Sequence, residues 1–295
     1  MKNNLREIET ELIPLPTLER LKYYLYALTF LFKKKQKRTT NQISKEYEHD
    51  IYETLLQNKI WDDSDLESIC YTRFINNKIE NNSTQTSFLY NDKFFKTELY
   101  EIKKIYASQI IKKIKQFTSK SEIICELGCG FGKNLFLLRL HDFKNSLEGY
   151  DLSKNAINIA NKINIKFNTN IKFDCFNMIQ DIPKINLENK TIFTHLSLEQ
   201  LKYDLESIIL NLINSKASQI IHFEHVSEMY SFSLRHIASK IYYSNRDYQS
   251  NLYKILIKFE KQKLLKITDV EKFAFTFNPS HEMGFIRWVP LRNSN

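Results

Sequence analysis

Three of the chain's five glycines fall within five residues, at Gly128, Gly130 and Gly132, in the stretch Glu126 to Asn134 that reads ELGCGFGKN. A chain of this length ordinarily carries roughly 20 glycines, so this concentration marks a backbone need. A residue without Cβ accepts positive φ and lets a ligand approach the main chain closely. The spacing is not that of a phosphate loop. A dinucleotide fingerprint places its third glycine one position later, where Lys133 stands here, and a P-loop needs four residues between its glycines. Glu126 decides the ligand's charge: a carboxylate at the mouth of the loop repels a pyrophosphate and attracts a group carrying an ammonium and a sulfonium.

S-adenosylmethionine is such a ligand, and at this point the chain resembles the class I S-adenosylmethionine-dependent methyltransferases, whose first motif is an acid, an apolar residue, then G-x-G-x-G. A second acid, Asp151 in LEGYDLSKNAI, follows Gly132 by 19 positions and closes a short strand. An acid about 20 residues past such a loop accepts ribose hydroxyls in nucleoside-binding α/β folds; the plainer reading is a helix cap. The expected cofactor set is Glu126, Gly128, Cys129, Gly130, Gly132, Asn134, Asp151 and Leu152. The resemblance adds Asn177, four past Phe173, where the family often has an Asp that accepts the adenine amino group. It also adds Met178 as backbone donor or apolar cover, and Thr194 at the end of the fourth strand.

In such a reaction the sulfonium is already a good leaving group, so the protein mainly aligns the nucleophile and excludes water. A base on an acceptor hydroxyl would come from the carboxyl ends of the strands, where ligands of open parallel sheets lie. His195 follows the fourth strand and Glu224 with His225 the fifth, and these three are the expected catalytic residues. His281 and Glu282 are alternatives, and each lone histidine is equally a packing residue. No acid and histidine cluster has metal-ligand spacing, so no metal is expected. Thr194, His195, Leu196 and Ser197 do not form the Pro-Pro signature of amino-methylating DNA enzymes, and no Pro is followed by Cys as cytosine-ring enzymes require. What remains is a small-molecule, sugar or peptide acceptor, with transfer to O or N. The rival readings are an RNA methyltransferase with a basic N-terminal arm and a non-catalytic S-adenosylmethionine-binding protein.

These residues need a scaffold. Glu122 to Leu127 reads as a strand and Asn134 to Leu140 as a helix, so the glycines sit between the two. Strand and helix then alternate through strands at Asn170–Phe173, Lys190–Thr194 and Ser218–Phe223. Two strand-like runs, Leu265–Phe277 and Gly284–Leu291, close the chain. The expected fold is α/β, a Rossmann-like seven-stranded, mostly parallel sheet with helices on both faces. Residues 94–295 form the methyltransferase domain, with a helical insertion at about 227–263. Residues 1–93 read as a helical cap or recognition region without strands, with helices over Ile43–Trp61 and Leu66–Ile79. A further helix from Phe94 feeds the first strand.

The 295 residues are 42% hydrophobic, enough for a substantial core, and the net charge of +9 weakly favours an anionic partner. Cys70, Cys125, Cys129 and Cys175 form no C-x-x-C pair, and no apolar signal opens the chain, so a cytoplasmic protein with free thiols is expected. Leu21 to Phe32 is strongly apolar but shorter than the roughly 20 residues a bilayer requires. It reads as a buried helix whose cations, Lys33 to Arg38, suit its C-terminal dipole. A peripheral membrane anchor and a nucleic-acid patch are the other readings.

Overall fold

The computed structural model describes residues 13–33, 39–59, 61, 62, 65–71, 74, 75, 78, 79, 85–273, 275, 276 and 282–291. The basic run beyond Lys33 and the alternative base His281 lie outside them. The N-terminal region holds β1 (Ile13–Pro14) and α1 (Thr17–Thr29), then α2 (Thr40–Lys45), a π-helical segment (Glu46–Tyr52), α3 (Glu53–Gln57) and α4 (Leu66–Tyr71). A capping box starts α2: Thr39 Oγ1 accepts from the Gln42 amide while Gln42 Oε1 accepts from that of Thr39.

The region is helical as expected, yet it also contains strands. Beyond α4, β2 (Phe74–Ile75) and β3 (Lys78–Ile79) pair as a short hairpin, where one longer helix was expected. β4 (Gln85–Tyr90) and β5 (Lys93–Glu98) form a second hairpin, so the helix expected from Phe94 begins only at α5 (Leu99–Phe117). The cause is the turn: Asn91 and Asp92 both take positive φ, 47° and 64°, and two such residues between alternating strands close a tight hairpin.

The rest of the chain alternates: β6 (Ile124–Leu127), α6 (Lys133–Leu140), β7 (Leu147–Asp151), α7 (Lys154–Phe167), β8 (Lys172–Cys175), β9 (Thr191–His195), α8 (Leu205–Asn214) and β10 (Gln219–His225). Helices α9 (Leu234–Arg246) and α10 (Leu252–Lys261) follow β10, before β11 (Leu265–Lys272), β12 (Phe275–Thr276) and β13 (Met283–Pro290). Seven strands make the main sheet in the order β11-β13-β10-β9-β6-β7-β8. The last five in this order run parallel, and β13 runs antiparallel to both its neighbours. A smaller antiparallel sheet, β1-β5-β4-β12, joins the N-terminal hairpin to the end of the chain.

Period-two alternation divides the core. Phe193, Ile221, Phe223 and Phe285 face α5, α6 and α7, whereas Ile192, Ile220, Ile286 and Trp288 face α8 and α10. Leu55, Ile69, Cys70 and Tyr71 of the N-terminal region belong to the first of these clusters. Helix α1 departs from expectation: its leucines are exposed rather than buried.

Candidate active site

β6 delivers Glu126, almost wholly buried, to the glycine turn. Gly128 has φ +75°, and a Cβ there would lie 2.4 Å from Ser197 Cβ, so no other residue fits without moving the loop after β9. The turn is tied to β7: the amides of Gly128 and Cys129 donate to the Tyr150 carbonyl at 2.8 and 3.1 Å. Asp151 Oδ2 accepts from the Gly130 amide at 2.8 Å and Oδ1 from that of Ser153 at 2.9 Å. A carboxylate offers about four acceptor positions, so Asp151 keeps capacity for hydroxyl donors while its geometry is fixed.

Glu126 Oε1 accepts from Asn134 Nδ2 at 2.6 Å, and Oε2 has no hydrogen-bond partner among the described residues. Burial pushes its carboxyl well above the ordinary range, and Asp151 nearby adds to the shift. Asp151 is raised as well, chiefly by burial. The two carboxyls border one space, where a cation would offset the cost of burying them.

That space is a cavity of about 330 Å³. Its floor is the glycine turn with Asp151 and Leu152, and Phe176, Asn177 and Met178 after β8 form one side. The other side is His195 at the end of β9 and the loop after it, with Ser197, Gln200 and Leu201. The roof comes from the N-terminal region, where Ile43, Tyr47 and Tyr52 reach in from α2 and the π-helical segment. Tyr52 Oη lies 2.7 Å from where a Cβ on Gly130 would stand. The roof is held at two points. Glu48 accepts from Ser153 Oγ and from the Asn155 amide at 3.2 Å, at the N-terminus of α7, and Gln200 Nε2 donates to Tyr47 Oη at 2.7 Å.

Of the expected cofactor residues, Glu126, Gly128, Cys129, Gly130 and Asn134 line the cavity, as do Asp151, Leu152, Asn177 and Met178. Asn177 Oδ1 also accepts from the Ile179 amide at 2.9 Å, which fixes its side chain in the turn. Gly132 stands behind the wall, at the N-terminus of α6 with φ +85° and Phe173 against it. Thr194 also lies off the wall: its hydroxyl meets His222 Nδ1 at 2.9 Å inside the sheet.

The three expected catalytic residues are separated. His195 lines the cavity; Glu224 and His225 do not. Glu224 Oε1 accepts from the amides of Ser197 and Leu198 at 3.1 and 3.2 Å, supporting the loop from beneath. His225 Nδ1 donates to the Glu282 carbonyl at 3.0 Å, with Glu199 3.4 Å from Nε2 and Tyr243 edge-on to the ring. His195 is bound on both nitrogens. Asn134 Nδ2 already donates to Glu126, so the His195 Nδ1 3.1 Å from it must accept. Nε2 then carries the proton toward Tyr106 Oη at 2.7 Å, and Tyr106 donates to Met283 Sδ at 2.9 Å. Burial, Lys133 and His225 lower the imidazole to about 3, so the ring is neutral.

Ile43, Tyr47, Glu48, Tyr52, Tyr106 and Gln200 are site residues that belong to none of the expected sets. The roof segment carries no local motif; its π-helical turns, common at functional sites, leave no trace in residue spacing.

No protein-family model matches the chain, and no curated protein matches it. Solved structures do. A magnesium protoporphyrin IX methyltransferase from Synechocystis PCC 6803, solved with bound SAH, is similar at a TM-score of 0.55 and 12% identity, over 86% of this chain and 100% of that one. A protein from Galdieria sulphuraria, assigned as a sarcosine dimethylglycine methyltransferase, is similar at 0.51 and 9%, over 65% of this chain and 88% of that one. With the strand order, these likenesses define the fold: that of the class I S-adenosylmethionine-dependent methyltransferases.

Proposed function

We propose that the cavity binds S-adenosylmethionine and that the chain transfers its methyl group to a small-molecule acceptor. The observation that carries this reading is Glu126 Oε2, a buried carboxylate oxygen in the cavity wall with no partner among the described residues. Such a group is costly unless a cation meets it. The amino acid part of the cofactor supplies an ammonium for Glu126, its ribose hydroxyls suit Asp151, and its adenine suits the space between Leu152 of the floor and the side that holds Asn177 and Met178. Both named structural neighbours are, by name, methyltransferases of small molecules.

When bound, the cofactor supplies an activated methyl group on sulfur. The chain's own residues align and seal. Asn134 couples Glu126 to His195 and thereby fixes the imidazole's tautomer. With Nδ1 accepting from Asn134 and Nε2–H directed at Tyr106, His195 has no free lone pair, which favours a positioning role over that of a base. Rate then comes from orientation under the roof. Gln200 Oε1, in the wall and also without a partner among the described residues, is available to a hydroxyl or N–H of the acceptor.

Titration calorimetry with S-adenosylhomocysteine tests the binding. The unmodified chain is expected to bind, and Glu126→Gln and Asp151→Ala each to weaken binding at least about tenfold, the scale of a lost charged hydrogen bond. Unchanged affinity in both variants overturns the reading. Once an acceptor supports turnover, His195→Gln separates the roles: a positioning residue loses only a few-fold in kcat, a base about 10²–10⁴. Tight binding without turnover on any acceptor would identify a binding protein instead.

A further inference from the structure

Helix α1 turns its apolar face to solvent. Leu18, Leu21, Leu25 and Leu28 recur at three- and four-residue spacing and form one stripe. All four are exposed, Leu18 at 77% and Leu25 at 59%. The other side of the helix holds it to the protein: Tyr24 packs edge-on against Phe94, Arg20 Nε donates to the Leu15 carbonyl, and beyond the helix the buried Phe30 meets Tyr242 of α9. Phe32 follows at 90% exposed. Helix α9, packed against α1, has its own exposed apolar residues in Leu234 and Ile237, and Phe232 just before it is 98% exposed. Apolar surface gathered in this way marks an interaction site.

The charges beside it select the partner. Lys22, Lys33 and Lys240 are exposed, and the Lys33 ammonium stands 4.2 Å over the Phe30 ring. Glu19 is the only acid within α1 and α9. A leucine stripe bordered by lysines and aromatic rings has the composition of a helix that lies in a lipid interface. A second copy would set these cations against their like, and a nucleic acid offers the leucines no apolar surface. No described helix is long and apolar enough to cross a bilayer.

We infer that α1, flanked by α9, docks on an anionic phospholipid membrane, its leucines in the acyl boundary and its lysines among the headgroups. The surface stands whether or not the cavity transfers methyl groups.

Flotation of the full chain with phosphatidylcholine vesicles, plain or containing about one third phosphatidylglycerol, tests this. The expected result is flotation with the anionic vesicles, weakening as salt rises. Replacing Leu21 and Leu25 together, by Leu21→Glu and Leu25→Glu, should cut partitioning at least about tenfold with the melting temperature unchanged, because both side chains are already in water. Lys22→Glu with Lys33→Glu should weaken binding to the anionic vesicles alone. The inference is overturned if the unmodified chain stays unbound, or if the double leucine variant floats equally well. A concentration-dependent dimer abolished by the leucine changes, or salt-sensitive retention of RNA, in either case without vesicle binding, would overturn it in favour of another partner.

Discussion

Glu224 shows how a residue can shape a site without touching its ligand. Its Oε1 receives the amides of Ser197 and Leu198, which fixes the loop beside Gly128, and burial pushes its carboxyl up to about 7. A raised acid pKa means the folded state holds a proton the unfolded chain releases, so stability falls as pH rises from 4.5 through about 7. Glu224→Gln keeps an oxygen for the two amides and removes the charge. It should therefore be more stable than the parent at pH 8 by a few kcal/mol and equal to it near pH 4, as read from denaturant unfolding at both; a variant less stable at both pH values would refute this. The sequence made the glycine turn and Asp151 legible because both are local: residue types at fixed spacing beside a strand. It could not tell Thr194 from His195, since adjacent strand residues point to opposite faces and the register that puts His195 in the cavity depends on β6 and β10 on either side. The same ambiguity hid the separation of His195 from Glu224 and His225.

At the scale of elements, the roof depends on a latch. Glu48 reaches from the π-helical segment to the first turn of α7, where a carboxylate also meets the positive end of the helix dipole. Glu48→Ala should release that edge of the roof, costing about 1 kcal/mol of stability and raising the dissociation rate of S-adenosylhomocysteine about tenfold, with association little changed. Stopped-flow displacement measures this, and an unchanged dissociation rate would show that the roof is not what retains the ligand. The element that carries the latch could be named a helix from its periodicity but not placed over the cavity. Placement is tertiary: Leu55 and Tyr52 pack on residues from α6 and α7 more than 50 positions away, and no spacing rule reports that. Helix α1 makes the same point in reverse, for a leucine stripe reads alike whether it faces a core or a membrane. The hairpin at Asn91 and Asp92 was different, because its turn residues were visible and were outweighed by the apolar spacing that follows them.

For the whole molecule, the question is whether the N-terminal region folds as a separate module, as a boundary near residue 93 implies. The core argues otherwise. Leu55, Ile69, Cys70 and Tyr71 share one apolar cluster with Ile110, Phe136 and Ile159, and β12, late in the chain, pairs with β4. Removing residues 1–90 would therefore uncover the face that α5, α6 and α7 build, which makes truncation a poor test of function and point changes such as Glu48→Ala a better one. The chain's two tryptophans report on the two parts without any substitution. Trp61 lies on the N-terminal side, its carbonyl accepting from Lys166 Nζ of α7 and its ring 5.3 Å from Lys162 Nζ. Trp288 is buried in β13, where its indole N–H donates to His222 Nε2 at 2.9 Å. With fluorotryptophan incorporated, fluorine NMR resolves one signal from each, and both are expected to lose native intensity at the same urea concentration, as one cooperative unit requires. Ligand that binds under the roof should move both midpoints upward together, since it stabilises the folded state as a whole. If Trp61 reached its unfolded shift while Trp288 stayed native, the N-terminal region would be a module docked on an independently stable sheet, and the shared cluster would be an interface rather than a core.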